Sequence, residues 1–114
     1  MSTLSGTDFE LYAYRALRAR YPASSGWQIH EQYVLPSGAR VDFLITRGRD
    51  RVVVDCKDKA TLTLGDVDQV DGYAAEARAN AATIYIANDT DIPDQVYEET
   101  IALGIEIQRT QWGS

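Results

Sequence analysis

Two β-branched, apolar runs constrain this chain more than any other feature: Arg40–Arg47 (Arg-Val-Asp-Phe-Leu-Ile-Thr-Arg) and 51–57 (Arg-Val-Val-Val-Asp-Cys-Lys), with Gly48, Arg49 and Asp50 between them as turn residues. They predict an antiparallel hairpin. Each run carries an acid where a buried strand should be apolar, Asp42 on the first and, thirteen positions later, Asp55 on the second. Alternate residues of a strand share a face, so Asp55 and Lys57 point one way and Cys56 the other. Charged groups at the end of a buried strand are costly unless they pair, hold an ion or act. The hairpin therefore brings two carboxylates and an ammonium toward one point.

Around this hairpin the period of the sequence changes. Residues 6–21 predict a helix, with Thr7 as N-cap, Asp8 and Glu10 in the first turn, and Phe9, Tyr12, Ala13, Ala16 and Leu17 as an apolar stripe. Residues 22–26 read as a loop and 27–35 as a strand, turned into the hairpin by Pro36, Ser37 and Gly38. Residues 63–80 predict a second helix, with Val67, Val70, Tyr73, Ala74 and Ala77 on one side and Asp66, Asp68 and Asp71 favouring its N-terminal half. A strand over 82–87, a helix over 93–103 ended by Gly104, and a last strand over 105–108 complete the order αβββαβαβ. A meander followed by alternating helices and strands implies an α/β fold with a mixed central sheet flanked by helices.

At 114 residues the chain fits a single domain, 1–114, without repeats, linkers or low-complexity tracts. No apolar stretch approaches the ~20 residues of a membrane span, and the N-terminus lacks the basic start and apolar core of a secretory signal, so a cytoplasmic location is expected. One cysteine excludes a disulfide framework and any multi-cysteine metal site. The net charge of −6 argues against a general nucleic-acid binder, but its distribution is lopsided. Residues 1–51 carry seven Arg against five acids, so Arg15, Arg18, Arg20, Arg40, Arg47, Arg49 and Arg51 could form a basic surface or an ordinary solvated one.

In this order and on these elements the residues resemble the PD-(D/E)xK nuclease superfamily, and the resemblance covers nearly the whole chain. Val41-Asp42-Phe43 matches the acid of the second core strand, and Val54-Asp55-Cys56-Lys57 the acid-x-Lys of the third, with Asp in place of the commoner Glu. Gly6-Thr7-Asp8-Phe9-Glu10 resembles the first helix of Mrr-like restriction endonucleases and Holliday-junction resolvases, and Gln69-Val70-Asp71-Gly72-Tyr73 the Gln-x-x-x-Tyr element of RecB-type nucleases. No proline precedes Asp42, and the chain is too short for an added DNA-reading domain, which leaves sequence specificity open. The resemblance implies a restriction endonuclease-like αβββαβ core, here with an added helix and strand, and a metal-dependent endonuclease acting on DNA. A Holliday-junction or other structure-specific resolvase, and a non-catalytic nuclease-fold module binding nucleic acid or protein, are the alternatives. A homodimer would let two minimal domains address both strands.

The implied roles follow from the chemistry. Mg²⁺ or Mn²⁺ prefers oxygen donors, which Asp42, Asp55, Glu10 and the backbone carbonyl of Cys56 would supply, while Lys57 would orient the attacking water and offset phosphate charge. Gln69, Tyr73 and Lys59 would support the site or the substrate. Simpler readings stand beside each: an exposed Asp55–Lys57 ion pair, Glu10 as a first-turn acid, Gln69 and Tyr73 as a helical i,i+4 pair, and Lys59 as a solvated strand-end charge. Cys56 with His30 would suit a cysteine hydrolase, but the thiol faces away from Lys57. The run 66–72 fails as a calcium loop, because its glycine falls one place late and Ala77 stands where Glu is required. No glycine-rich phosphate loop is present, so no nucleotide cofactor is expected.

Overall fold

A computed structural model describes residues 8–112. Helix α1 (Asp8–Arg20) and a short 3₁₀ turn (Ala23–Ser25) precede strands β1 (Gln28–Val34), β2 (Arg40–Arg47) and β3 (Asp50–Lys57). Helix α2 (Leu64–Ala77), β4 (Ala81–Ile86), α3 (Asp94–Leu103) and β5 (Ile105–Arg109) follow, so the expected αβββαβαβ order holds. The expected N-cap, Thr7, lies outside the described residues. No helix among these residues is long and apolar enough to cross a membrane.

The five strands form one sheet in the order β1-β2-β3-β4-β5. The first three are joined as an antiparallel meander, whereas β3, β4 and β5 run parallel through the crossovers α2 and α3. Both crossovers step in the same direction and lay their helices on one face, while α1 covers the other. Phe9, Ala13 and Leu17 of α1 bury against Phe43, Ile45, Val52, Val54 and Tyr85. On the opposite face, Val67 and Val70 of α2 and Val96 of α3 bury against Leu44, Val53, Ile84 and Ile86. A sheet covered on both sides explains why β3 and β4 are nearly continuous apolar runs. Gly48, at φ 59°, supplies the positive φ of the two-residue turn between β2 and β3.

The alternation of faces inverts at one level of the sheet. Phe43 packs toward α1, yet Val41, two residues earlier, packs toward α2 and α3. The same exchange occurs on β1, where Ile29 lies on the α1 side and Tyr33 on the other. Between these residues stand Gln32, at φ 51°, and Asp42, which the register places opposite each other but which the ladder of paired residues omits. A strand keeps its period of two only while its backbone stays extended, and a left-handed residue breaks it.

Helix α2 is anchored at both ends. Thr63 caps its start by accepting from the Asp66 N–H at 3.1 Å, and the Asp66 carboxylate accepts from the Thr63 N–H at 2.9 Å, a reciprocal capping box. The helix stops at Ala77, three residues before the expected end, because Arg78 turns into the left-handed region and its N–H bonds back to Ala74 and Ala75. At that end the Arg51 guanidinium donates to the Ala77 carbonyl at 2.7 Å. Elsewhere the Arg20 guanidinium meets Glu106 at 2.7 Å, tying α1 to β5. Replacing Thr63 by Ala removes half of the capping box and is expected to cost about 1 kcal/mol of stability, read as a lower urea midpoint with an unchanged slope.

Candidate active site

The β2–β3 ladder runs from the turn as far as Phe43 opposite Val54, and one step further its register sets Asp42 opposite Asp55. There the two strands stop exchanging ordinary ladder bonds. The Cys56 N–H donates to Asp42 Oδ2 at 2.8 Å, and the Asp42 N–H donates to Asp55 Oδ1 at 3.3 Å, so each carboxylate takes a backbone N–H of the opposite strand. Lys57, on the same face as Asp55, places Nζ 2.8 Å from Asp55 Oδ2 and also donates to Gln69 Oε1 of α2. Tyr73, one helical turn beyond Gln69, faces the same charges. From the other side of the sheet, Glu10 of α1 bears on Asp42 electrostatically and accepts from Gln32 Nε2 at 3.4 Å. The hairpin thus brings Asp42, Asp55 and Lys57 together, with Gln69 and Tyr73 on the α2 side and Glu10 on the α1 side.

Burial sets the electrostatics. Asp55 is only 5% exposed, and burial first, then the neighbouring Asp42 charge, pushes its carboxyl up to about 7 against the pull of Lys57. Burial likewise raises Asp42, with Glu10 adding to the rise and the Cys56 N–H opposing it. For Lys57, burial acts to lower the pKa, but the hydrogen bond and charge of Asp55 outweigh it and hold the ammonium above the ordinary lysine value. Two carboxylates that resist ionising together form a donor set suited to a hard cation, which would relieve their repulsion. Among the described residues no three His, Cys, Asp or Glu side chains are grouped as a metal cage, so the donors that fit are the Asp42–Asp55 pair, with Glu10 next to them.

Other expected residues fall elsewhere. The Lys59 ammonium is 2.9 Å from Asp66 Oδ2 at the cap of α2, away from the carboxylate pair. Cys56 packs on the α1 side with its thiol pushed up by burial, and His30 Nε2 meets Thr46 Oγ1 at 3.2 Å, so the two do not form a nucleophile–base pair. Arg40 and Arg47 lie at opposite ends of β2, about 23 Å apart at the usual rise of a strand, and so are not neighbours. Arg47 stacks over Trp27 at 4.2 Å and Arg20 is paired with Glu106. Two contributors were missed from sequence. The Thr63-x-x-Asp66 spacing is a capping signature that was there to be read. Gln32 gives no local signal, since nothing in the run 28–34 marks a residue of positive φ.

No family model matches the chain, and no curated protein matches it in sequence. Solved structures do. EndoMS in the EndoMS–double-stranded DNA complex matches with a TM-score of 0.64 at 17% identity, covering 100% of this chain and 48% of that one. A repair endonuclease from Pyrococcus abyssi matches at 0.60 and 16% identity, covering 99% and 50%. Pyrococcus furiosus SfsA in complex with Ca²⁺ matches at 0.57 and 14% identity, covering 90% and 56%. The chain has a restriction-endonuclease-like fold. It spans about half the length of these solved chains.

On this fold the acid pair has a measurable signature. The folded-state pKa of Asp55 lies above the ~3.9 of an unfolded chain, so the folded protein holds an extra proton between about pH 4 and pH 7. Stability without divalent ions therefore falls as pH rises through that window. Asp55→Asn removes the titration, so its stability relative to the unsubstituted protein should improve by up to about 4 kcal/mol between pH 4 and pH 8, measured by urea unfolding in the presence of a chelator.

Proposed function

We propose that this domain is a divalent-metal-dependent DNA endonuclease. The observation that carries the reading is the meeting of Asp42, Asp55 and Lys57 where the β2–β3 ladder ends, on a restriction-endonuclease-like fold. Asp42 and Asp55 would hold Mg²⁺ or Mn²⁺, with the Cys56 carbonyl and Glu10 as further donors. When bound, such an ion screens the phosphate charge and acidifies water. Lys57, held by Asp55 and Gln69, orients the attacking water and donates to a non-bridging phosphate oxygen as charge accumulates there. Water attacks phosphorus, a P–O bond of the backbone breaks, and the departing oxygen takes up a proton. Tyr73 lines the α2 side, and Lys59, beyond the end of β3 and paired with Asp66, would support a bound strand.

Support for DNA as substrate comes from EndoMS, whose structure is a complex with double-stranded DNA, and from the Pyrococcus abyssi repair endonuclease. Support for a hard cation comes from SfsA, solved with Ca²⁺, and from the carboxylate pair itself. A homodimer related by a two-fold axis would present two such sites to opposite strands. The net charge of −6 favours a second reading, a nuclease-fold binding module without turnover.

Nicking of supercoiled plasmid at low salt with Mg²⁺ or Mn²⁺ distinguishes them. The nuclease reading expects ion-dependent product that Asp42→Ala and Lys57→Ala each reduce by roughly 10²-fold or more, with both variants folded by circular dichroism. Product without added divalent ion, or undiminished product from Lys57→Ala, contradicts it. In a panel of linear and branched DNA, selective cutting of four-way junctions would identify a resolvase.

A further inference from the structure

Among the described residues, Gln32 is the one inside a strand that is not glycine and adopts positive φ. Among the described residues only two that are not glycine adopt positive φ, Gln32 at 51° and Arg78 at 53°. Arg78 ends α2, where a left-handed residue is an ordinary helix terminus. Gln32 lies inside β1, where extended backbone would pair without strain and where a residue bearing a Cβ is disfavoured at φ > 0.

Three consequences of that conformation converge on the same place. The register sets Gln32 opposite Asp42, and this is the single level at which the β1–β2 pairing is omitted between Gln28↔Thr46 and Val34↔Arg40. Beyond it both strands exchange faces, Tyr33 and Val41 packing toward α2 while Ile29 and Phe43 pack toward α1. Asp42 therefore sits at the crossing between the two sides of the sheet, where groups from α1 and α2 can both reach. Finally, the Gln32 amide spans to α1 and donates to Glu10 Oε2 at 3.4 Å, the long end of hydrogen-bonding distance, as catalytic contacts often are before ligands bind.

We propose that Gln32 is a positioning residue: its left-handed backbone opens the sheet at Asp42, and its amide holds the Glu10 carboxylate toward the Asp42–Asp55 pair. The inference rests on the metal-dependent reading above. It assigns Glu10 a fixed orientation rather than the role of a first-turn acid alone.

The test separates backbone from side chain. Glycine adopts φ > 0 freely, so Gln32→Gly keeps the conformation and deletes only the amide. This variant is expected to melt at or above the temperature of the unsubstituted protein and to bind Mn²⁺ roughly ten-fold more weakly by titration calorimetry, the usual scale for loss of a group that orients a ligand. Gln32→Val, whose branched side chain resists φ > 0, should lower both the melting temperature and the Mn²⁺ affinity. In a Glu10→Gln background the further change to Gly at residue 32 should have almost no effect on Mn²⁺ binding, because the amide acts through Glu10. Gln32→Gly binding Mn²⁺ as tightly as the unsubstituted protein, or weakening it equally with and without Glu10→Gln, overturns the proposal while leaving the endonuclease reading intact. Absence of Mn²⁺ binding by the unsubstituted protein overturns that reading and this inference together.

Discussion

Two carboxylates directly opposite each other in a buried hairpin repel, and the rest of this structure is arranged around containing that repulsion. Each acid accepts a backbone N–H from the partner strand, so the last rung of the ladder is made by side chains rather than by carbonyls. Lys57 answers part of the charge, and burial beside Asp42 pushes the Asp55 carboxyl up to about 7, so its ionisation is resisted until near-neutral pH. An apolar pair at the same place would extend the sheet and do nothing else. With Asp42 and Asp55 there, the hairpin end carries a charge repulsion that a cation would relieve, the kind of perturbed pair that clusters at functional sites.

The hydrophobic layers decide where this charged point lies. Because α1 covers one face and α2 with α3 the other, neither face of β2 or β3 meets water along its middle, and polar groups are tolerated only at the strand ends. The inversion at Gln32 and Asp42 makes one such end accessible from both layers. Glu10 and Gln69 sit on helices that pack on opposite sides of the sheet, yet both serve the same cluster.

Most of the architecture was legible because period and chemistry agreed: β-branched runs gave strands, the stripe Phe9, Ala13 and Leu17 gave α1, and Gly104 marked the end of α3. The acid pair and Lys57 were legible for the same reason, since strand alternation alone puts Asp55 and Lys57 on one face. The end of α2 was not, because the helix ends at Ala77 and is capped by Arg78, a residue with no special turn preference. Nor could the left-handed backbone at Gln32 be read, for it lies in a strand whose partner is distant in sequence, while the pairing of Lys59 with Asp66, seven residues apart, depends on how the chain turns between β3 and α2.

Strand β3 grips α2 twice. Arg51, at its start, closes the last carbonyl of the helix, and Lys57, at its end, holds Gln69 in the middle of the helix. Those two handholds lie about 20 Å apart along the strand. The helix can therefore neither slide nor rotate without breaking one of them, so the spacing between lysine and glutamine is gauged by an arginine at the far side of the molecule. A lesion there would propagate as a loss of alignment rather than a loss of chemistry.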